Sequence, residues 1–598
     1  MKKTMFAALT VTTAIGLTAT PSILAAPNEK MVAIVGATVF DGTGASPRPA
    51  TVLIRGERIV AVGANVKVPS GAKVIDAKGE ALLPGFYDLH THWTAGGDPA
   101  VTPAIANAYV SAGVTTSNDF NSAPESFEAR RRWIASLAVA PHVNMCGRIS
   151  TPGGHGADWA DAATTRMIVT PAAARQAVDE LVAYKADCFG ETMVDGWRYG
   201  LSPDNTSMNE DALTALVDEA HKYNLPVLTH ILRTEKAAEA GRAKVDVIAH
   251  ALQDLPLTQD QIETIKKGGG FYAPTLAVYD PSKPSRRAAP PGNEAARARG
   301  TANWSNALSS TKRLYDAGVP IAAGTDAGMP GTHHGTSALH EMELLVQAGL
   351  SPSAALIAAT ANSARAMRQL EDRGMIEVGK RADLVLIKGV PWDTISDVRK
   401  TDRVFVDGKL VFGPGAPPLN PVVPMPPVAV GPLVDDFERP DGRSNLDTLV
   451  VTEPDSGLGR SIEMIDTIAR EDGGHALTMI GTMAFKPEPQ IAVVLPLTKG
   501  SVQPADVRKY KGVKLDLRGD GPFEVALNTL GGTYIATVSG GPKWQTAELP
   551  FADFKKQTGR AEFPADHWTG TDVMEIEVRA KRKGGEKAWL VLDNIAFY

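Results

Sequence analysis

The sequence is poor in features that would assign it to a special class of protein. Only 2 of its 598 residues are cysteine, aromatic residues make up 6% of it, and its net charge is −6. Such a small, evenly spread acidic charge argues against a nucleic-acid partner. No run beyond the N-terminal segment reaches the roughly 20 unbroken apolar residues needed to cross a bilayer, so no stable membrane insertion is expected. With 43% hydrophobic residues, the composition is typical of a folded globular protein.

The two cysteines, Cys146 and Cys188, lie in apolar runs that resemble two different strands. A disulfide between such positions is geometrically conceivable. The pattern nevertheless favours two buried free thiols.

Residues 1–26 have the pattern of a secretory signal peptide. Two lysines precede an Ala- and Thr-rich apolar run that ends at Ala25 and Ala26. Gly16 and Pro21 interrupt this run and no cysteine stands at the cleavage site, which disfavours both a permanent anchor and a lipoprotein. The sequence therefore predicts a periplasmic or secreted protein.

The next part of the chain is expected to be an α/β barrel inserted into a small β unit. Residues 31–83 alternate short β-runs with Gly turns, and the same texture returns in 371–412, so both segments are expected to build one composite β-sandwich. Residues 84–370 alternate apolar runs with Ala-rich helical stretches, as in βα units around a parallel sheet. Eight apolar runs predict a (β/α)8 TIM barrel. They span 86–92, 113–120, 143–148, 188–194, 226–231, 245–251, 271–276 and 320–326.

Four histidines and an aspartate end strands of the predicted barrel. His90 and His92 end the first strand, and residues at i and i+2 share a face, so both imidazoles can reach one metal ion. His230, His250 and Asp326 end the fifth, sixth and eighth strands. Each alone is explained by packing or helix capping. Because barrel active sites form at the carboxyl ends of the strands, the five together predict a metal centre.

The motifs around these residues resemble those of the amidohydrolase superfamily, in particular its imidazolonepropionase and Xaa-Pro dipeptidase-like branch. The similarity covers about residues 32–411. It implies a metal-dependent hydrolase built on a (β/α)8 barrel. The motifs are LPGFYDLHTH (83–92), GVTT (113–116), GGHG (153–156), AH (249–250), GTDAG (324–328) and GKRADL (379–384).

The resemblance implies a role for each residue at the strand ends. His90 and His92 would bind one metal, and His230 and His250 a second. Asp326 would contact the first metal and act as the catalytic proton shuttle. Neutral imidazoles and carboxylates are suitable ligands for a divalent ion such as Zn²⁺. Such an ion lowers the pKa of bound water from about 16 to near 7 and polarises the scissile carbonyl.

The fourth predicted strand departs from the family pattern. Members of this branch usually carry a lysine there, carboxylated to bridge two metals, and this chain has none between Ala186 and Met193. The position equivalent to this lysine is Glu191 or Gly190, depending on the residue from which positions along the strand are counted. We favour Glu191, whose carboxylate could bridge the ions directly. If Glu191 instead forms a salt bridge, the site holds one ion rather than two.

Four further residues are candidates for substrate contact. By resemblance, His155, after the third strand, is a catalytic residue that stabilises a developing oxyanion. The same resemblance implies that His334 contacts the substrate, although adjacent histidines in a loop are as often exposed to solvent. Arg198 and Tyr199 follow the fourth strand and could hold a substrate carboxylate, but ordinary loop packing explains them as well.

The last part of the chain differs in composition from the barrel. Residues 413–432 are dense in proline and predict a stiff linker. Residues 433–598 show short strands with Gly and Asp turns and predict a jelly roll. They resemble the galactose-binding-like domain of the complex I intermediate-associated protein family, through LVDDF (433–437), YKGVKLDLRGDG (510–521) and VLDNI (591–595). Trp544 and Trp568 could stack on a glycan, although such aromatics more often pack in a core.

The expected function is hydrolysis of an amide-like or peptide-like carbon–nitrogen bond in a small molecule or short peptide. Xaa-Pro dipeptides and N-acyl amino acids are the leading substrates, because the similar branch includes dipeptidases. Lactonase, esterase and deaminase activities use the same type of site and stay open. The missing lysine also leaves open a glycan-binding protein with a degenerate site, and the sequence does not decide between a monomer and a homo-oligomer.

Overall fold

The computed structural model describes residues 31–94, 99–155, 164–195, 206–283, 293–455, 459–557 and 568–598. The predicted signal peptide and two substrate-contact candidates, Arg198 and Tyr199, lie outside these residues. Within the described ranges, none of the helices combines the length and apolarity that a bilayer span needs.

The central segment folds into a parallel barrel. The predicted eighth strand is not a regular strand, but its backbone still closes the cylinder. Tyr272 N donates to Pro320 O on one side, and Leu89 N donates to Ala323 O on the other, both at 3.0 Å. This closure confirms the predicted (β/α)8 barrel. The regular strands pair in chain order: Phe86–Thr91, Val114–Asp119, His142–Ser150, Cys188–Met193, Val227–His230, Val247–Ala249 and Phe271–Ala273, with Thr165–Met167 added beside the third.

Helices connect the barrel strands, and local signals fix where several of them start. Asn209 precedes one helix and accepts a hydrogen bond from Ala212 N, and Thr258 forms a capping box with Gln261 at the start of another. The helices span Thr102–Ser111, Phe127–Ser136, Pro171–Ala183, Glu210–Lys222, Thr234–Arg242, Gln259–Gly268, Leu276–Tyr279, Glu294–Asp316, Thr336–Gln347, Pro352–Ile357 and Ser363–Ala366.

The β unit draws its strands from both sides of the barrel in the sequence. Strand Ala81–Pro84 pairs antiparallel with Leu384–Ile387 and so joins the two segments in one sheet. This sheet folds around its own buried apolar core, which includes Ile34, Val52 and Leu384. Its other strands are Met31–Val39, Arg48–Arg55, Arg58–Gly63, Lys73–Asp76, Thr401–Val406 and Lys409–Phe412.

The C-terminal part is all β and consists of two sheets around a separate apolar core. The first sheet contains Val428–Ala429, Val451–Thr452, Gln490–Pro496, Ala505–Asp506, Pro522–Thr529, Gly532–Ser539, Lys555–Lys556 and Val573–Lys581. The second sheet contains Leu433–Asp435, Ile462–Ala469, His475–Thr482, Gly512–Gly519, Gln545–Pro550 and Lys587–Phe597.

The two tryptophans considered for glycan stacking already have packing partners. Trp568 packs edge-on against Phe551 at the rim of the core, with ring centroids 4.2 Å apart. The guanidinium groups of Arg470 and Arg518 lie 4.2 and 5.3 Å from the Trp544 ring centroid, at cation–π distance. Trp568 therefore belongs with the core.

The expectation of two free thiols is wrong. Cys146 and Cys188 are register partners on the third and fourth barrel strands, with Cα atoms 4.6 Å apart, and they form a disulfide. This distance lies within the range that a disulfide can bridge. The register of the two strands, which the sequence pattern did not provide, brings the thiols together.

Candidate metal centre

The strand-end residues of the barrel meet in one buried cluster. The His90 and His92 ring centroids are 5.7 Å apart, His90 and His250 are separated by 4.4 Å, and His230 and His250 by 4.1 Å. Asp326 lies beside them, and all five residues are buried. Residues spread over more than two hundred positions therefore share one site.

Apart from His230, the ligand atoms of the cluster fall into two overlapping groups, each with its atoms within 4.8 Å of one another. The first group is His90, His92 and Asp326, and the second is His90, Glu191 and His250. His92 Nε2 is 2.9 Å from Asp326 Oδ1, and His90 Nε2 is 2.6 Å from Glu191 Oε2. His90 thus stands between an aspartate on one side and a glutamate on the other.

The hydrogen bonding of the cluster fits divalent metal ions. A buried polar atom without a partner costs about 1–3 kcal/mol, so several such atoms facing one another indicate a missing ligand. Neutral imidazoles and carboxylates are the donors that divalent transition ions prefer. The buried atoms without a hydrogen-bond partner in the described part of the chain include Nε2 of His90, His92, His230 and His250, and Oε2 of Glu191.

Glu191, rather than Gly190, faces the histidines. The Glu191 carboxylate is buried, and its Oε1 accepts a hydrogen bond from His230 Nδ1 at 3.0 Å. A Cβ on Gly190 would lie 2.0 Å from Cε1 of Phe120, so this position packs closely against an aromatic ring. The fourth strand is irregular between Phe189 and Thr192. This irregularity explains why counting along the strand left two candidates.

Four residues in or beside the cluster have a strained backbone. Glu191, His250, Thr275 and Asp326 have φ angles of 51°, 78°, 45° and 64°, in the left-handed region that non-glycine residues rarely adopt. Such conformations cost on the order of 1–3 kcal/mol each and occur preferentially at functional sites.

Burial and neighbouring charges set the protonation of the ligands. Burial opposes the charge on Glu191, but His230 outweighs it and lowers the pKa of this carboxyl well below its ordinary value. Burial and His230 lower the pKa of His250 to about 3, so this imidazole is neutral, as a metal ligand must be. Asp326 is also buried, yet the adjacent His92 imidazole keeps its pKa below the usual value.

Two of the predicted substrate-contact residues border the cluster. The His155 ring centroid is 4.3 Å from that of His230, and burial and this histidine lower the pKa of His155 well below its ordinary value. His334 Nδ1 is 3.0 Å from the hydroxyl of Tyr109, and burial lowers its pKa to about 4. Both imidazoles are therefore neutral near pH 7.

Residues 81–411 match the amidohydrolase family, which is metal-dependent. The chain belongs to this family. An imidazolonepropionase of Streptomyces avermitilis is 26% identical over 379 residues, covering 58% of this chain and 84% of the relative. A prolidase solved with N-methylphosphonate-L-proline is 26% identical, with a TM-score of 0.56 over 64% of this chain and 100% of the other. An Xaa-Pro dipeptidase with bound methionine matches in fold, at 23% identity, a TM-score of 0.56 and the same coverage. This amidohydrolase is thus a hydrolase that acts on carbon–nitrogen bonds.

Two residues at the amidohydrolase centre were not identified from the sequence. Thr275 Oγ1 is 2.8 Å from His250 Nδ1 and orients that ring. Asp195 accepts a hydrogen bond from Arg233 N at 3.1 Å and a shorter one from Leu232 N, which fixes the loop after the fifth strand. Both follow the carboxyl ends of barrel strands, so the rule that identified the histidines could have found them.

Proposed function

We propose that this amidohydrolase cleaves an amide-like bond in Xaa-Pro dipeptides or N-acyl amino acids at a pair of zinc ions. The position of Glu191 carries the proposal. Its carboxylate lies between His90 and His230, where a single acidic side chain can contact two ions. His230 and His250 would then hold the second ion, and His90, His92 and Asp326 would hold the first.

The chain's own residues have defined tasks in this hydrolysis. Bound ions supply the Lewis acidity that lowers the pKa of water and polarises the substrate carbonyl. Asp326 keeps an ionised carboxylate beside His92, so it accepts the proton of the attacking water and donates it to the leaving nitrogen. His155 is neutral and buried, so its N–H donates a hydrogen bond to the developing oxyanion. His334, held by Tyr109, contacts the substrate.

The similar prolidase was solved with N-methylphosphonate-L-proline. This complex supports the proposal that the substrate carries a carboxylate next to the scissile amide. We assign that carboxylate to Arg198 and Tyr199, which follow the fourth strand in sequence. A guanidinium group binds a carboxylate through two parallel hydrogen bonds, so an Arg198→Lys variant should raise KM more than it lowers kcat.

A substrate panel tests the proposed function. Purified enzyme loaded with zinc is assayed on Xaa-Pro dipeptides, N-acyl amino acids, lactones, aryl esters and nucleobases. We expect turnover of an amide, and its loss in His230→Ala with unchanged circular dichroism. Turnover confined to lactones, esters or nucleobases would reject the proposed bond, and full activity of His230→Ala would reject the site.

We also propose that the protein is exported. The signal-peptide pattern of residues 1–26 supports this, as does the disulfide between Cys146 and Cys188, because disulfides persist mainly outside the cytoplasm. Cell fractionation and N-terminal sequencing test it. We expect a mature N-terminus shortly after Ala26, and an intact N-terminus in the cytoplasm would contradict export.

A further inference from the structure

Glu341 is a fully buried acidic residue that is not one of the proposed metal ligands. It lies on the helix Thr336–Gln347 and is 0% exposed. Burial raises the pKa of its carboxyl to about 8, so an acid at this position costs stability that an apolar side chain of similar size would not. Glutamate is almost never fully buried without polar partners. Its presence in the core therefore indicates a specific task.

Both carboxyl oxygens of Glu341 bind the backbone that follows the seventh barrel strand. Oε1 accepts a hydrogen bond from Leu276 N at 2.9 Å, and Oε2 accepts one from Ala277 N at 2.7 Å. Leu276 and Ala277 begin the short helix Leu276–Tyr279, and the first N–H groups of a helix have no partner within it. Glu341 thus caps this helix from a distant part of the chain.

Thr275, which directly precedes the short helix, does not cap it. Threonine is a common capping residue because its hydroxyl accepts a hydrogen bond from an N–H of the first turn. Here the Thr275 side chain makes no capping hydrogen bond, and its Oγ1 lies 2.8 Å from His250 Nδ1 instead. Because Glu341 satisfies the helix, the threonine hydroxyl is available to orient the imidazole.

The backbone of Thr275 is held from outside its own segment. Its φ of 45° and ψ of 46° are left-handed, and such a conformation persists only where the surrounding structure imposes it. The two hydrogen bonds of Glu341 fix the next two residues. His340, its neighbour on the same helix, places Nε2 2.8 Å from Oδ2 of Asp280, which ends the short helix. One helix therefore holds this loop at both ends.

We propose that Glu341 is a positioning residue of the metal centre and acts on His250 through Thr275. The inference rests on the proposed function, in which His250 holds the second ion. The Glu341 carboxyl fixes the start of the short helix, the helix holds Thr275 in its left-handed conformation, and the Thr275 hydroxyl sets the His250 ring. Residues that orient a metal ligand in this way change metal affinity by about 10–100-fold.

A double-mutant cycle in the full chain tests this path. Glu341→Gln keeps the shape of the side chain but turns an NH₂ group, which cannot accept, toward one of the two backbone donors. We expect it to lower zinc affinity by about 10-fold or more, measured by competition with a chelating dye. In the Thr275→Val background, which already lacks the hydroxyl, the same substitution should lower it by less than about 2-fold. Unchanged affinity in Glu341→Gln, or additive effects of the two substitutions, would overturn the proposal.

Glu219→Gln is the matched control. Glu219 is also a buried glutamate on a barrel helix, but it pairs with the side chains of Arg175 and Lys222. Its substitution should leave zinc affinity unchanged, and a fall equal to that in Glu341→Gln would overturn the proposal. Wild type that binds no zinc would reject the proposed function together with this inference. Zinc binding by wild type without coupling in the cycle would reject this inference alone.

A measurement on wild type covers the case in which Glu341→Gln fails to fold. Coupling between two sites is reciprocal, so zinc must strengthen the Glu341 hydrogen bonds by the factor by which they strengthen zinc binding. We expect zinc to slow amide hydrogen exchange at Leu276 and Ala277 by about 10-fold or more, with a much smaller effect on the helix Glu210–Lys222. Equal exchange at these two amides with and without zinc would overturn the proposal.

Discussion

Glu191 and His230 are joined by a buried hydrogen bond, with the carboxylate Oε1 3.0 Å from the imidazole Nδ1. The other oxygen, Oε2, lies 2.6 Å from Nε2 of His90. One side chain of the fourth strand thus connects histidines of the first and fifth strands. In the proposed centre, this relationship takes the place of the bridging lysine that the fourth strand lacks, and the first prediction tests it.

Glu191→Gln should remove the negative charge while keeping the shape of the side chain. We expect at least one metal equivalent per chain to be lost and kcat/KM to fall by more than about 100-fold. Replacing a residue that only hydrogen-bonds to a metal ligand already lowers metal affinity or activity by about 10–100-fold. Metal analysis and steady-state kinetics measure both. The control is Glu210→Gln, which removes an exposed pair with Arg242. Full metal content and turnover in Glu191→Gln would place the bridge elsewhere.

Thr275→Val should weaken metal binding through His250. The variant keeps a β-branched side chain but removes the hydroxyl that lies 2.8 Å from His250 Nδ1. We expect metal affinity to fall by about 10–100-fold, as measured by competition with a chelating dye. Thr275→Ser retains the hydroxyl and should bind metal like wild type. Equal affinity in the valine and serine variants would show that the hydrogen bond does not orient the ring.

Gly190→Ala should destabilise the barrel at the metal centre. The new Cβ would lie 2.0 Å from Phe120, whose ring stands edge-on to His90 at 4.6 Å. We expect the free energy of unfolding to fall by about 1–3 kcal/mol in urea titrations. Gly300→Ala is the matched control, because it lies in a helix with open space around it and should be neutral or slightly stabilising. Similar effects of the two substitutions would contradict the packing argument.

Glu343→Gln should change the acid dependence of stability. Burial opposes the charge on Glu343, but Arg399 and His340 outweigh it and lower its pKa from 4.5 to about 2. A lowered pKa means that the stabilisation is complete above pH 4.5 and disappears as the pH falls to about 2. Because Arg399 is 44% exposed, solvent screening limits the effect to about 1 kcal/mol. Urea titrations at several pH values should show wild type and variant converging in acid, and a constant difference would contradict this.

The residues that meet at the candidate site could be named from the sequence because their signal is local. A histidine or aspartate at the end of an apolar run is visible without knowing its neighbours, so His90, His92, His230, His250 and Asp326 could be named in advance. Membership of the amidohydrolase family and the parallel barrel are shown by the comparisons and the fold. The β unit was also foreseeable, since both of its segments carry the same strand pattern.

Tertiary structure decided what depends on register and on contacts between distant segments. The irregularity between Phe189 and Thr192 shifted the count along the fourth strand, so only the folded backbone shows that Glu191 faces the histidines. Pairing of two strands placed Cys146 opposite Cys188, which no spacing in the sequence encodes. The sequence by itself therefore determined which candidate ligand types were present and at which strand ends. Folding determined which atoms meet, because distances between strands arise from packing that involves the whole chain.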